Sequence, residues 1–171
     1  METTEGATYG EGNLISVLNE VGDGNVIFFH DLNSQFAAFM VKHFNDKDLK
    51  NAIRRLIKEE IARTNPERGT IGNKVKIVNT KEITNTIIQD DCEISGASRL
   101  SDCTILSSEH ASVYIGTGVI CENSIISDGS SIVNSVKMQD CFVGEACQIS
   151  NGFTASQSVF FANSFMSNGE A

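Results

Sequence analysis

Apolar residues between positions 71 and 160 follow one ruler, whose steps of six, six and five residues repeat. Its sixteen occupants are Ile71, Ile77, Ile83, Ile88, Ile94, Leu100, Ile105, Ile115, Cys121, Ile126, Ile132, Met138, Val143, Ile149, Ala155 and Phe160. None is polar or charged, although only 40 % of the chain is apolar. One step is long: Ile105 to Ile115 is a six with four residues inserted. Such spacing is too long for the period of a strand and wrong for a helix. It fits a short strand, a corner and another short strand, with three sides closing a coil of about seventeen residues. The pattern therefore predicts a mainly β fold. Five coils of a parallel β-helix of hexapeptide repeats should stack from about residue 71 to 165, with the ruler residues inside.

A second inward row is expected four residues after the ruler positions. Its members would include Val75, Ile87, Cys92, Ser98, Thr104, Val119, Ile125, Val136, Phe142, Cys147, Phe153 and Val159, with Lys81 as the exception near the start of the prism. The corners repeat as well. Asn85, Asp102, Asn123, Asp140 and Gln157 share one corner, and Gly96, Asn134, Asn151 and Asn168 share another. Gly and Asn tolerate the left-handed backbone of a sharp corner, so turn chemistry accounts for both rows. The alternative is a stack of carboxylates and amides that binds a cation or a sugar. It makes Asp102, Asn123 and Asp140 candidate binding residues.

The rest of the chain divides around the prism. Residues 1–13 read as a flexible start. Residues 14–31 read as a strand pair, with strands at 14–19 and 26–30 around a Val-Gly-Asp-Gly-Asn turn. Residues 32–65 read as a two-helix insertion or cap. Asn33 or Ser34 caps the first helix, which presents Phe36, Phe39, Met40 and Phe44 on one face. The second follows Asn45-Asp46, presents Leu49, Ile53, Leu56, Ile57 and Ile61, and stops near Pro66. The pair is expected to cover the first coils or the open end of the prism. Residues 66–171 form the β-helix, which stops at Ala171 partway through a side.

A net charge of −9 argues against nucleic acid and anionic membranes as partners. No apolar run reaches the roughly 18 residues of a membrane span, and no signal peptide opens the chain. The five cysteines are odd in number and lack paired metal spacings, so no metal site is read from them. Cys92, Cys121 and Cys147 fall on inward phases. Cys103 and Cys141 hold equivalent corner positions two coils apart, too far to bridge. A reduced, cytoplasmic protein fits best.

Several segments carry a family resemblance. Ser16-Val-Leu-Asn-Glu20, Gly69-Thr-Ile-Gly72, Gly96-Ala-Ser-Arg-Leu100, Val113-Tyr-Ile-Gly116 and Asn168-Gly-Glu-Ala171 resemble DUF4954, a family of Bacteroidetes hexapeptide-repeat proteins without an assigned reaction. The family's proteins continue past the Asn-Gly-Glu-Ala run, which implies that this chain is part of a longer one. More broadly, the hexads resemble left-handed β-helix acyltransferases. That resemblance implies left-handed coils, a trimer, sugar or sugar-nucleotide substrates, and acyl-CoA as the co-substrate if the protein is an acyltransferase.

Such enzymes use a His as general base. His30 and His43 read as structural or exposed. His110 is the one His on the prism, inside the insertion and beside Glu109, so it is the candidate base with Glu109 as its neighbour. Neither Gly22-Asp-Gly24 nor Gly116-Thr-Gly118 is long enough for a phosphate loop. Two functions remain open: an acyltransferase-like protein, and a non-catalytic scaffold or oligomerisation module. The 171 residues alone are expected to lack acyltransferase turnover, because spacing supplies His110 with neither an orienting partner nor an oxyanion donor.

Overall fold

A computed structural model describes residues 3–15, 25–43 and 45–171. All but the last residue of the turn expected at 21–25, most of the first strand and the place of Phe44 lie outside the described residues. Within them, β1 (Leu14–Ile15) pairs antiparallel with β2 (Val26–Ile27). Helix α1 (Ser34–Lys42) starts where Asn33 accepts the Phe36 N–H at 2.9 Å. Helix α2 (Lys47–Thr64) starts where Asp46 accepts the Leu49 N–H at 3.0 Å. Both bonds satisfy amides that a helix leaves unpaired at its first turn.

Fourteen short strands follow. They are β3 (Thr70–Ile71), β4 (Lys76–Val78), β5 (Ile83–Ile88), β6 (Glu93–Ser95), β7 (Arg99–Ile105), β8 (Tyr114–Ile115), β9 (Ile120–Ile126), β10 (Ser131–Ile132), β11 (Lys137–Gln139), β12 (Phe142–Val143), β13 (Gln148–Ser150), β14 (Thr154–Ser156), β15 (Val159–Phe160) and β16 (Phe165–Ser167). All pair in parallel, and ruler residues pair with ruler residues. One side stacks Ile77, Ile94, Ile115, Ile132, Ile149 and Met166. The next stacks Ile83, Leu100, Cys121, Met138 and Ala155. The third stacks Ile71, Ile88, Ile105, Ile126, Val143 and Phe160. The result is a parallel β-solenoid of about six coils, one more than the five expected, because the register runs on to Met166.

Most ruler residues form one core, from Ile88 to Phe160. The exceptions lie in the first coil, which among the described residues has a neighbouring coil on one side only. Ile71 is 51 % exposed, Ile77 is 38 % exposed, and Ile83 is half-buried.

The second inward row needs correction on one side. Residues four after the ruler do point inward on the six-residue sides: Cys92, Val119, Val136, Cys147 and Phe153 join the core. On the five-residue side the missing residue shifts the phase. Thr86, Cys103, Ser124 and Cys141 are buried three residues after the ruler, so Cys103 and Cys141 are interior rather than corner residues. Ile125 and Phe142 belong instead to a second core outside the prism, with Val159 packed against it. Counting back two from the next ruler residue, the side-chain period of a strand, fits all three sides; before Leu100 the buried residue is Ala97 and not Ser98.

That second core shows what the helices cover. It joins Ile15, Val26 to Phe29, Ala37, Met40, Ile53 and Ile57 to Ile125 and Phe142 of the prism. The hairpin and helices therefore lie on a side wall, not on the first coils or the open end. Within the expected helix faces, Leu56 is exposed and Phe39 is partly so. Residues 3–13, read as a flexible start, lie against the prism as a strap with Tyr9 and Glu11 buried. All five cysteines are unpaired and buried. Among the described residues, no helix is long and apolar enough to cross a membrane.

Candidate functional site

The corner between the five-residue side and its neighbour carries Asn85, Asp102, Asn123, Asp140 and Gln157, with φ of 46°, 50°, 50°, 52° and 48°. Asn and Asp tolerate this left-handed backbone better than other residues with a side chain. Stacking coils brings their side chains within bonding distance. The Asn85 amide donates to Asp102 Oδ2 at 3.2 Å, and the Asn123 amide donates to Asp140 Oδ1. The amide–carboxylate alternation relieves the repulsion that adjacent carboxylates would suffer.

The strap crosses this ladder. The Thr4 N–H donates to Asn85 Oδ1 at 2.7 Å, and the Asn85 amide donates to Thr4 Oγ1 at 2.9 Å. Thr8 Oγ1 donates to Asn123 Oδ1 at 3.3 Å, and Thr104 Oγ1 donates to the Tyr9 carbonyl at 2.8 Å. Gly10 passes so close that a Cβ there would sit 2.8 Å from the Ser124 backbone. Burial, reinforced by the Asp102 charge, pushes the Tyr9 phenol up, so it stays neutral.

Between strap and wall lies a groove of about 560 Å³. On its outer wall Arg99 donates to Glu82 at 3.1 Å and to Glu122 at 2.9 Å. Four carboxylates (Glu82, Asp102, Glu122, Asp140) and one guanidinium line the groove, for a formal charge of −4 + 1 = −3. Neither a His nor an aromatic ring lines it. Among the described residues no protein donor reaches Asp102 Oδ1 or Asp140 Oδ2, so both can accept from a ligand.

Three of the candidate binding residues, Asp102, Asn123 and Asp140, thus share one groove. Glu109 and His110 lie elsewhere. The insertion folds into a tight turn in which Ser108 and Ala111 bridge, at the next corner of the prism. His110 is exposed there and has no hydrogen bond or ion pair among the described residues. Glu109 borders a separate groove of about 590 Å³ with Asp90, Asp91 and Lys74.

The spacing gave no hint of a second polar cluster. Glu11, 4 % exposed, accepts the His30 backbone N–H at 3.1 Å and faces His30 Nδ1 at 3.3 Å. His30 Nε2 faces Asp31 Oδ2 at 3.6 Å and Glu60 Oε1 at 3.7 Å. The hydrogen bond to Glu11 raises the His30 pKa; burial opposes this, and the charges of Glu11, Asp31 and Glu60 add to it. Arg63 binds Glu60 and lowers its pKa. A groove of about 460 Å³ beside this cluster runs between residues 30–35 and the prism wall. Apart from the adjacent His30 and Asp31, the members of the cluster are far apart in sequence, and His30 was read only as structural or exposed.

The family described as "Domain of unknown function (DUF4954)" matches residues 1–171. No curated protein and no solved structure shows significant similarity.

Proposed function

The chain belongs to the DUF4954 family, and from that premise we propose that it is the sugar-binding β-solenoid of an acyltransferase-like protein. The observation that carries this reading is the strapped groove. Its free carboxylate oxygens and alternating amides suit the hydroxyls of a sugar. Its formal charge of −3 narrows the class. A neutral sugar is tolerated and an amino sugar is attracted, whereas the phosphates of a sugar nucleotide or of acyl-CoA are repelled from this groove. Acyl-CoA, if used, would bind elsewhere.

The experiment is a calorimetric titration with glucosamine, N-acetylglucosamine and its uridine diphosphate conjugate. Glucosamine should bind tightest, and the Asp102→Asn/Asp140→Asn double variant should weaken it about tenfold or more. Tighter binding of the nucleotide sugar, or no binding of any sugar, overturns the reading. An acetyl-CoA thiol-release assay with the same sugars should stay at the buffer level. Release that disappears in His110→Ala would instead make the insertion turn catalytic, with Glu109 beside it.

The second reading is a non-catalytic scaffold or oligomerisation module, favoured by the exposed and unpartnered His110. Self-association belongs to both readings. The first coil presents Ile71, Ile77 and Val78 on strand edges that a second copy can cover, and the resemblance to left-handed hexapeptide enzymes makes a trimer the expected form. Light scattering that finds a clean monomer at high concentration counts against it. A reducing, cytoplasmic setting suits five unpaired thiols.

A further inference from the structure

His30 sits where the strap, the hairpin and α2 meet, away from the corner groove. Its imidazole is oriented from behind: buried Glu11 takes Nδ1 with one oxygen and the His30 backbone N–H with the other. A proton on Nδ1 leaves Nε2 as the free lone pair, and a carboxylate in this position also raises the basicity of the ring. Nε2 points at two carboxylates. We propose that His30 Nε2, one oxygen of Asp31 and one oxygen of Glu60 form a binding site for a divalent cation of the zinc class.

Three observations carry this. The first is spacing. Bonds of about 2.1 Å in a tetrahedral site put neighbouring ligand atoms roughly 3.4 Å apart. The two measured edges are 3.6 and 3.7 Å, and all three atoms lie within 4.8 Å of one another. Two of the three edges therefore lie within about 0.3 Å of the tetrahedral spacing. The second is charge. Glu11, Asp31 and Glu60 against Arg63 give −3 + 1 = −2 with a neutral imidazole, which a divalent ion balances. Arg63 holds both Glu60 oxygens, Nη2–H donating to Oε1 and Nε–H to Oε2 at 3.0 Å, so an ion that takes Oε1 displaces the Nη2 bond and leaves the Nε bond in place. The third is access. His30 and Asp31 line the groove beside the prism, so solvent or a ligand can fill the remaining coordination position. One nitrogen and two carboxylate oxygens suit zinc, cobalt or manganese better than magnesium, which prefers an all-oxygen shell with several waters. The thiols do not compete in the folded state, because all five are buried.

The rival account is a protonated His30 paired with its carboxylates and no metal. Titration of zinc chloride into the chelator-treated full chain separates the two. The expected result is one equivalent bound per chain, with Asp31→Asn and Glu60→Gln each weakening affinity about tenfold or more and Asp48→Asn leaving it unchanged. Asp31 is chosen because its side chain is 72 % exposed, so the variant should fold. Cobalt(II) gives an independent readout: its visible absorption should show a tetrahedral nitrogen–oxygen site in the wild type and lose intensity in Asp31→Asn. No stoichiometric uptake, or uptake that both carboxylate variants leave unchanged, overturns the proposal and leaves an imidazolium ion pair only. Because Asp102 and Asp140 take no part, this result is independent of sugar binding in the corner groove.

Discussion

Glu11 is costly to bury, since a carboxylate out of water needs charge or hydrogen bonds to offset its lost hydration. His30 supplies both, and the hydrogen bond between them raises the His30 pKa above its usual value. The sign of the linkage follows. In metal-free protein, the contribution of protonated His30 is fully present below the unfolded value of about 6.5 and is lost as pH rises through the higher folded value. Urea denaturation of chelator-treated protein should therefore show stability falling upward from about pH 6.5. Glu11→Gln should flatten that slope, with Asp31 and Glu60 leaving a remnant, and an unchanged slope would remove His30 from the account. Burial also shifts the thiols, pushing Cys92 up to about 12 and Cys141 to about 11. At pH 8 the native protein should leave an aromatic disulfide reagent almost unreacted, and denaturant should release all five thiols. Rapid native labelling would mean that the prism opens easily.

Strands and corners show how far the hydrophobic pattern can be read. The ruler was legible because each coil repeats one steric demand, and the ladders pair ruler residue with ruler residue down all three sides. The inward row was misread at Ile125 and Phe142 because a five-residue side keeps the strand period but drops a residue. Counting forward from the ruler fails there, whereas counting back by two holds. An apolar residue on that side therefore faces outward, and the outward face then needs a cover. The hairpin and helices supply it, a pairing that no local spacing could reveal. The corner Asx row was legible as turn chemistry, but the groove was not, since it needs the strap. The strap makes its own prediction. Gly10 and Gly6 both have positive φ, at 80° and 81°, but only Gly10 touches the wall. Gly6→Ala should cost only the left-handed strain, about 1 kcal/mol. Gly10→Ala adds a clash with the Ser124 backbone and should lift the strap, costing about 1–3 kcal/mol more and exposing residues 3–13 to protease. Equal losses and equal cleavage in the two variants would show that the contact holds nothing in place.

At the scale of the whole molecule, each coil touches only its neighbours, so stability is close to a sum of coil and interface contributions. Position along the prism then decides what a substitution costs. Ile132 has ruler residues above and below it, Ile115 and Ile149, and is fully buried. Ile132→Asn removes an aliphatic side chain and leaves a polar amide without partners in the core, at a cost of roughly 2–5 kcal/mol. Ile77 has the same chemistry and the same side but only one neighbouring coil, and it is 38 % exposed. There the amide can reach water, so Ile77→Asn should cost less than about 1 kcal/mol. Hydrogen exchange should follow the same gradient, with slow amides in β9 to β13 and fast ones in β3 and β4. If the native protein self-associates through its first coil, the contrast narrows with concentration, because a second copy then buries Ile77. Urea denaturation of both variants, repeated over a hundredfold range of protein concentration, separates the two effects. A loss below about 1 kcal/mol for Ile132→Asn at every concentration would contradict the inward assignment on which the whole solenoid rests.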